Sequence, residues 1–162
     1  MAEPSISLSR DIPAPAGRIF SVLAHPAAHP ELDGSGMVRT AVEDVVITKV
    51  GDVFAMKMFN DEMGDYVMEN RVVEFEPDRR IVWEPVMRSI DKPEFRSSVG
   101  EAGFHQWGWQ LEPLDVGRTR VTEFFDCSRS PDWLQKAVKG GQRWRPDIEA
   151  SLENLERLVA GS

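Results

Sequence analysis

The amino-acid sequence predicts an α+β domain in which a curved antiparallel sheet closes over the apolar face of a long C-terminal helix. Three observations lead there. About six strand-like segments follow one another between residues 37 and 127, joined by turns of hairpin length, which makes an antiparallel meander. One amphipathic segment follows, the only large apolar element left to cover such a sheet. The chain also supplies seven methionines and five tryptophans, adaptable or wide side chains suited to an irregular interior.

Each element has its own signature. In residues 5–11, Ile6, Leu8 and Ile12 stand against Ser5, Ser7 and Ser9, the alternation of a half-buried strand. Pro13 and Pro15 stop the ladder and open a short helix carrying Ile19, Phe20, Val22 and Leu23, which ends at His25-Pro26. Residues 25–36, with two prolines and two glycines, read as a helical turn and then a loop. A short strand covers 38–42, and 45–50 leads to a turn at Gly51-Asp52. Phe54, Met56 and Met58 then alternate with Ala55, Lys57 and Phe59. After a turn at 60–65 comes a long strand, 66–76, a tight turn around Pro77, and a return strand, 81–87. Residues 88–101 read as a polar loop, and two strands, 104–111 and 119–127, complete the meander.

Ser130-Pro131-Asp132 has the pattern of an N-cap, a first-turn proline and an acid near the positive end of a helix. Leu134, Val138, Ile148, Leu152, Leu155 and Val159 continue one apolar face at helical spacing. Gly140, Gly141 and Pro146 interrupt it, so a kink is expected, with the main helix over about 146–160.

Composition narrows the function. At 162 residues the chain is expected to form a single domain, 1–162, large enough to bury a core. A net charge of −8 argues against nucleic acid, because counterion release needs clustered Lys and Arg. The lone Cys127 cannot form an internal disulfide and suits a reducing compartment. No stretch approaches the ~20 apolar residues of a membrane span, and Met1-Ala2-Glu3-Pro4 does not begin a leader, so the expectation is a cytoplasmic protein without membrane insertion. A homodimer is compatible with the sequence. No nucleophile elbow, phosphate loop or dinucleotide fingerprint occurs, and no cofactor is expected.

The candidate site lies between sheet and helix. Strand alternation and helix spacing aim Phe54, Met56, Met58, Met68, Trp83, Met87, Trp107, Trp109, Phe125, Trp144 and Ile148 at that space, where they would line a tolerant pocket or fill an ordinary core. Glu123 lies between Val121 and Phe125, and His105 shares a face with Trp107 and Trp109. In a dry pocket such a carboxylate and imidazole would serve as catalytic acid and base. Arg71 shares a face with Val73 and Phe75, where it would pair with a carboxylate or hold an acidic ligand group; the successive valines 72 and 73 leave room for a bulge. Arg145, on the last helix, raises the same question. His25, His29 and Asp33 have i, i+4 spacing, but Pro26 and Pro30 interrupt the helix that metal ligation would need, so no metal is expected.

Several segments together resemble the SRPBCC superfamily, which contains START domains, bacterial polyketide cyclase/dehydrase-like proteins and plant pathogenesis-related allergens. They are Ile12-Pro13-Ala14-Pro15-Ala16 with Ile19-Phe20 and Leu23-Ala24, and Val50-Gly51-Asp52-Val53-Phe54. The hairpin from Asn70-Arg71-Val72-Val73-Glu74-Phe75-Glu76-Pro77 to Ile81-Val82-Trp83, and Gly117-Arg118-Thr119-Arg120-Val121-Thr122-Glu123, add to it. The run His29-Pro30-Glu31-Leu32-Asp33-Gly34-Ser35-Gly36 is similar to an actinobacterial-type polyketide cyclase/dehydrase subgroup. The resemblance implies the helix-grip fold and an apolar cavity between sheet and helix. The leading functional expectation is therefore binding of a small hydrophobic molecule: a lipid, polyketide or aromatic compound. The alternative is a cyclase or dehydrase using His105 and Glu123. An interaction module would instead present an exposed apolar patch.

Overall fold

The computed structural model describes residues 4–160; the first three residues, at which a leader was sought, lie outside them. The chain enters through β1 (Ile6–Ile12), whose Ile6 and Ile12 are buried. Helix α1 (Ala16–Leu23) starts behind Pro15 and buries Ile19, Phe20 and Leu23. A 3-10 turn (Pro26–Ala28) and the single turn α2 (His29–Leu32) follow. Then come β2 (Val38–Ala41), β3 (Val53–Asn60), β4 (Gly64–Glu76) and β5 (Arg80–Ile90). A short 3-10 segment, Pro93–Ser98, interrupts the stretch expected to be loop. The strands β6 (Gln106–Asp115) and β7 (Arg118–Asp126) lead to α3 (Asp132–Ala137) and α4 (Arg145–Ala160).

All seven strands form one antiparallel sheet in the order β1-β7-β6-β5-β4-β3-β2. The meander is closed off at its β7 edge by the first strand, with Ile6 opposite Phe125 and Ile12 opposite Thr119. This is the helix-grip arrangement. The β5–β6 seam is short: pairing runs only from Arg80↔Gln110 to Trp83↔Trp107, and the rest of β5 pairs with β4 alone.

Two devices set which side chains face inward. In β4 the register shifts at Val73, between Val72 and Glu74. Before that bulge Tyr66, Asn70 and Val72 are buried, and Arg71 is exposed. The phase expected for Arg71 is therefore corrected: it faces solvent, and Glu84 opposite it accepts from Gln106 and Arg129 instead.

The second device is the break between α3 and α4. Gly140 and Gly141 take φ of 63° and 97°, conformations open to glycine at little cost. A Cβ on Gly141 would also stand 3.1 Å from Ile6, so the break lets the chain cross close above β1. Ser130 does not cap α3; Pro131 holds the cap position and the Ser130 hydroxyl is buried without a partner. Helix α4 then runs sixteen residues, about 24 Å, and buries Ile148, Ser151, Leu152, Leu155 and Val159 against the sheet. Arg145 is exposed and bonds Gln142.

Candidate functional site

Between the sheet and α4 lies a cavity of about 250 Å³. Strand alternation builds most of its wall. Phe54, Met56 and Met58 come from β3, Tyr66, Met68 and Asn70 from β4, Trp83 and Pro85 from β5, Trp107 and Trp109 from β6. Met56 lies opposite Met68, and Trp83 opposite Trp107, so the thioethers form one side and the indoles the other. Trp144, Asp147, Ile148 and Ser151 close it from the helical side, and Leu32, Asp33, Ser35 and Met37 from the α2–β2 connection.

That connection is held tightly. The Gly34 amide donates to Ser151 Oγ at 2.8 Å, and a Cβ on Gly34 would lie 2.3 Å from the Asp147 carbonyl oxygen. Only glycine lets the loop come this close to α4. Asp33 is fixed beside it, accepting from the Ser35 hydroxyl at 2.7 Å and the Val38 amide at 3.1 Å.

Of the residues expected from the sequence, Phe54, Met56, Met58, Met68, Trp83, Trp107, Trp109, Trp144, Ile148, His105 and Glu123 line the cavity. Three do not. Arg71 is on the outer face. Met87 packs with Tyr66 and Ile90 in a separate cluster. Phe125 points inward but sits one layer behind, its ring 4.8 Å from that of Trp107 and 6.2 Å from that of Trp144.

The polar groups are unusual for an apolar wall. Glu123 is buried between Leu8 and Trp109, its partners on the neighbouring strands, and has no hydrogen bond or ion pair among the described residues. Burial, then the charges of Asp33 and Asp147, push its pKa well above the ordinary carboxylate value. Asp147 is raised by burial and by Asp33, with Arg143 opposing. His105 Nδ1 is buried without a partner among the described residues, and burial lowers that ring to about 4 against the pull of Glu84. The indole N–H of Trp144 is likewise unpartnered.

His105 and Glu123 do not meet. Glu123 is opposite Trp109, four residues along the chain from His105, a backbone separation of roughly 14 Å at ~3.4 Å per residue. Each faces the cavity separately.

The His29 ring, considered from the sequence only for its spacing to His25 and Asp33, is part of the wall. Its Nε2–H donates to the Leu23 carbonyl at 2.8 Å, which leaves Nδ1 as the acceptor of a neutral ring. Trp83 stacks on it at 5.5 Å and Phe54 meets it edge-on at 5.6 Å, and burial holds its pKa near 4. His25 instead bonds exposed Asp44, so the two histidines point to different surroundings. No group of three or more His, Cys, Asp or Glu side chains among the described residues is arranged to hold a metal ion. Asp33 was singled out only for its spacing to the histidines, and Asp147 and Ser151 were not singled out at all; the one available signal for these two was that they flank Ile148 and Leu152 on the buried face of α4.

Comparison with known proteins agrees with this geometry. The family model described as polyketide cyclase / dehydrase and lipid transport matches residues 3–160. An uncharacterized protein of Mycobacterium tuberculosis, Rv0088, is 32% identical over 96% of this chain, and the chain spans 64% of that relative's length. A solution structure of a protein from Arthrobacter aurescens superposes with a TM-score of 0.69 at 17% identity, covering 96% of this chain and 86% of that one. The crystal structure of Ms6760 from Mycobacterium smegmatis gives 0.66 at 15% identity, covering 96% and 90%. At such identities the structural likeness speaks for the fold alone. Among the described residues no helix is long and apolar enough to cross a membrane.

Proposed function

We propose, for a chain that belongs to the polyketide cyclase/dehydrase and lipid transport family, that the sheet–helix cavity binds one small, mainly apolar molecule. The observation that carries this reading is the continuous wall of Met56, Met58, Met68, Trp83, Trp107 and Trp109 around about 250 Å³ of space. That volume falls just below the ~300–1,000 Å³ typical of ligand pockets, which suits a compact ligand more than a long lipid chain. Thioethers adapt to shape and indoles offer broad faces, so the wall tolerates related ligands and leaves selection to the few polar groups.

Native mass spectrometry of gently purified protein, and titration with a small apolar dye followed by tryptophan fluorescence, test the reading. Saturable one-to-one uptake is expected, and Met56→Trp, which fills the cavity from β3, abolishes it while the circular dichroism spectrum is kept. Absence of uptake by the folded wild-type protein contradicts the proposal.

A second reading, cyclase or dehydrase chemistry, is favoured by one specific observation: Glu123 and His105 both face the cavity with unpartnered atoms. A protonated Glu123 would donate and a neutral His105 would accept at separate positions along a bound polyketide. Turnover of a linear polyketide analogue that falls at least about a hundredfold in both Glu123→Gln and His105→Gln supports this chemistry; unchanged turnover in either variant excludes it.

A further inference from the structure

The charges around the cavity are one-sided. Asp33 comes from the α2–β2 connection, Glu123 from β7 and Asp147 from the first turn of α4, and all three border the same space. Among the described residues no lysine or arginine lines it, Arg143 acting on Asp147 from outside the lining, and both histidines on its wall are held neutral by burial. None of the three carboxylates has a salt bridge among the described residues, and Glu123, only 8% exposed, has no polar partner of any kind. Asp33 and Asp147 both act on Glu123 electrostatically and, with burial, favour its protonated form until a cation enters, so the three form one coupled acidic end. Trp109 lies directly opposite Glu123 in the β6–β7 register, placing an indole beside this end.

We infer that the cavity selects a cationic amphiphile, a compact apolar molecule bearing one protonated amine, with the ammonium received by Glu123, Asp33 and Asp147 and the apolar body laid on the Met/Trp wall. This rests on the cavity being a ligand site and adds the class of ligand. An ammonium group carries three donors and no acceptor, and ionised carboxylates carry only acceptors. Charge-assisted hydrogen bonds of this kind are stronger than neutral ones, and the Trp109 face adds cation–π attraction. A carboxylate ligand would instead meet two or three like charges in a site of low dielectric, where repulsion is weakly screened. The same end disfavours fatty acids and acidic polyketides.

The test uses three probes with one tail: n-octylamine, n-octanol and octanoate, titrated into the full chain at neutral pH by calorimetry and tryptophan fluorescence. Octylamine should bind about tenfold more tightly than octanol, and octanoate more weakly than either. Glu123→Gln should bring the octylamine-to-octanol affinity ratio close to one. Asp147→Asn, at a half-buried position, should reduce the preference in part and guards against a folding defect in the first variant. Equal binding of the three probes, tighter octanoate binding, or an undiminished amine preference in Glu123→Gln overturns the inference while sparing the ligand-site reading. If none of the probes and no apolar dye binds, both fall.

Discussion

His29→Gln gives the cleanest perturbation of the cavity wall. The glutamine amide can still donate to the Leu23 carbonyl, replacing the 2.8 Å bond from Nε2, but it cannot take up a proton. In the wild type the folded-state pKa of His29 is lowered to about 4 from 6.5, first by burial. The unfolded chain therefore binds more protons than the native one between those values, so this residue's effect is to lose stability as pH falls. Stability is fully present above about pH 6.5, declines through the window and levels off below about pH 4. The displacement from 6.5 to about 4 corresponds to about 3 kcal/mol in all, most of it falling between roughly pH 7.5 and pH 4.5. Urea unfolding of wild type and His29→Gln at those two pH values isolates it, because the parallel contribution of His105 cancels in the difference. The variant should lose roughly 2–3 kcal/mol less than wild type on acidification. Equal losses would refute the buried, neutral assignment of His29.

Glu123→Gln should raise the melting temperature at neutral pH. The folded-state pKa of Glu123 lies above its unfolded value, so its contribution is intact below about pH 4.5 and is lost as pH rises toward the folded value. The gain should vanish at about pH 4, and a variant less stable than wild type at neutral pH would contradict the assignment. Gly34→Ala should displace the α2–β2 loop from α4, because its Cβ would meet backbone and not a yielding side chain. We expect a loss on the order of 2 kcal/mol by urea unfolding and a weaker affinity for any cavity ligand; wild-type values in both would show that the loop packs elsewhere. Arg71→Ala, on the outer face, should leave ligand affinity within about a factor of two, and a tenfold loss would restore the residue to the site.

The sequence made the cavity wall legible wherever strand period alone decides. Phe54, Met56 and Met58, or Trp107 and Trp109, alternate without interruption, so their shared face follows from the pleat. Arg71 fails because β4 carries a bulge at Val73, and two adjacent valines do not reveal on which side of them the phase changes. Met87 is on β5 beyond the last residue paired to β6, a divergence that only the sheet's curvature sets. Phe125 shows the limit of a face argument: direction is readable, depth is not, and Phe125 packs against Trp107 and Trp144, which line the cavity while it does not. The acidic end was hidden for another reason. Asp33 reaches the site through a loop whose path depends on the close approach of Gly34 to α4, a tertiary contact with no local signature. The glycines at 140 and 141, by contrast, announced the break before α4 because a left-handed backbone is a local need.

Binding of a small apolar molecule between the sheet and α4 would be reported directly by the methionines of the wall. With ¹³C-methyl methionine, titration of the protein with octylamine or an apolar dye should shift the signals of Met37, Met56, Met58 and Met68, which line the cavity. Met63 and Met87, outside it, should move little. Shifts confined to Met63 and Met87, or none at saturating probe, would contradict such binding.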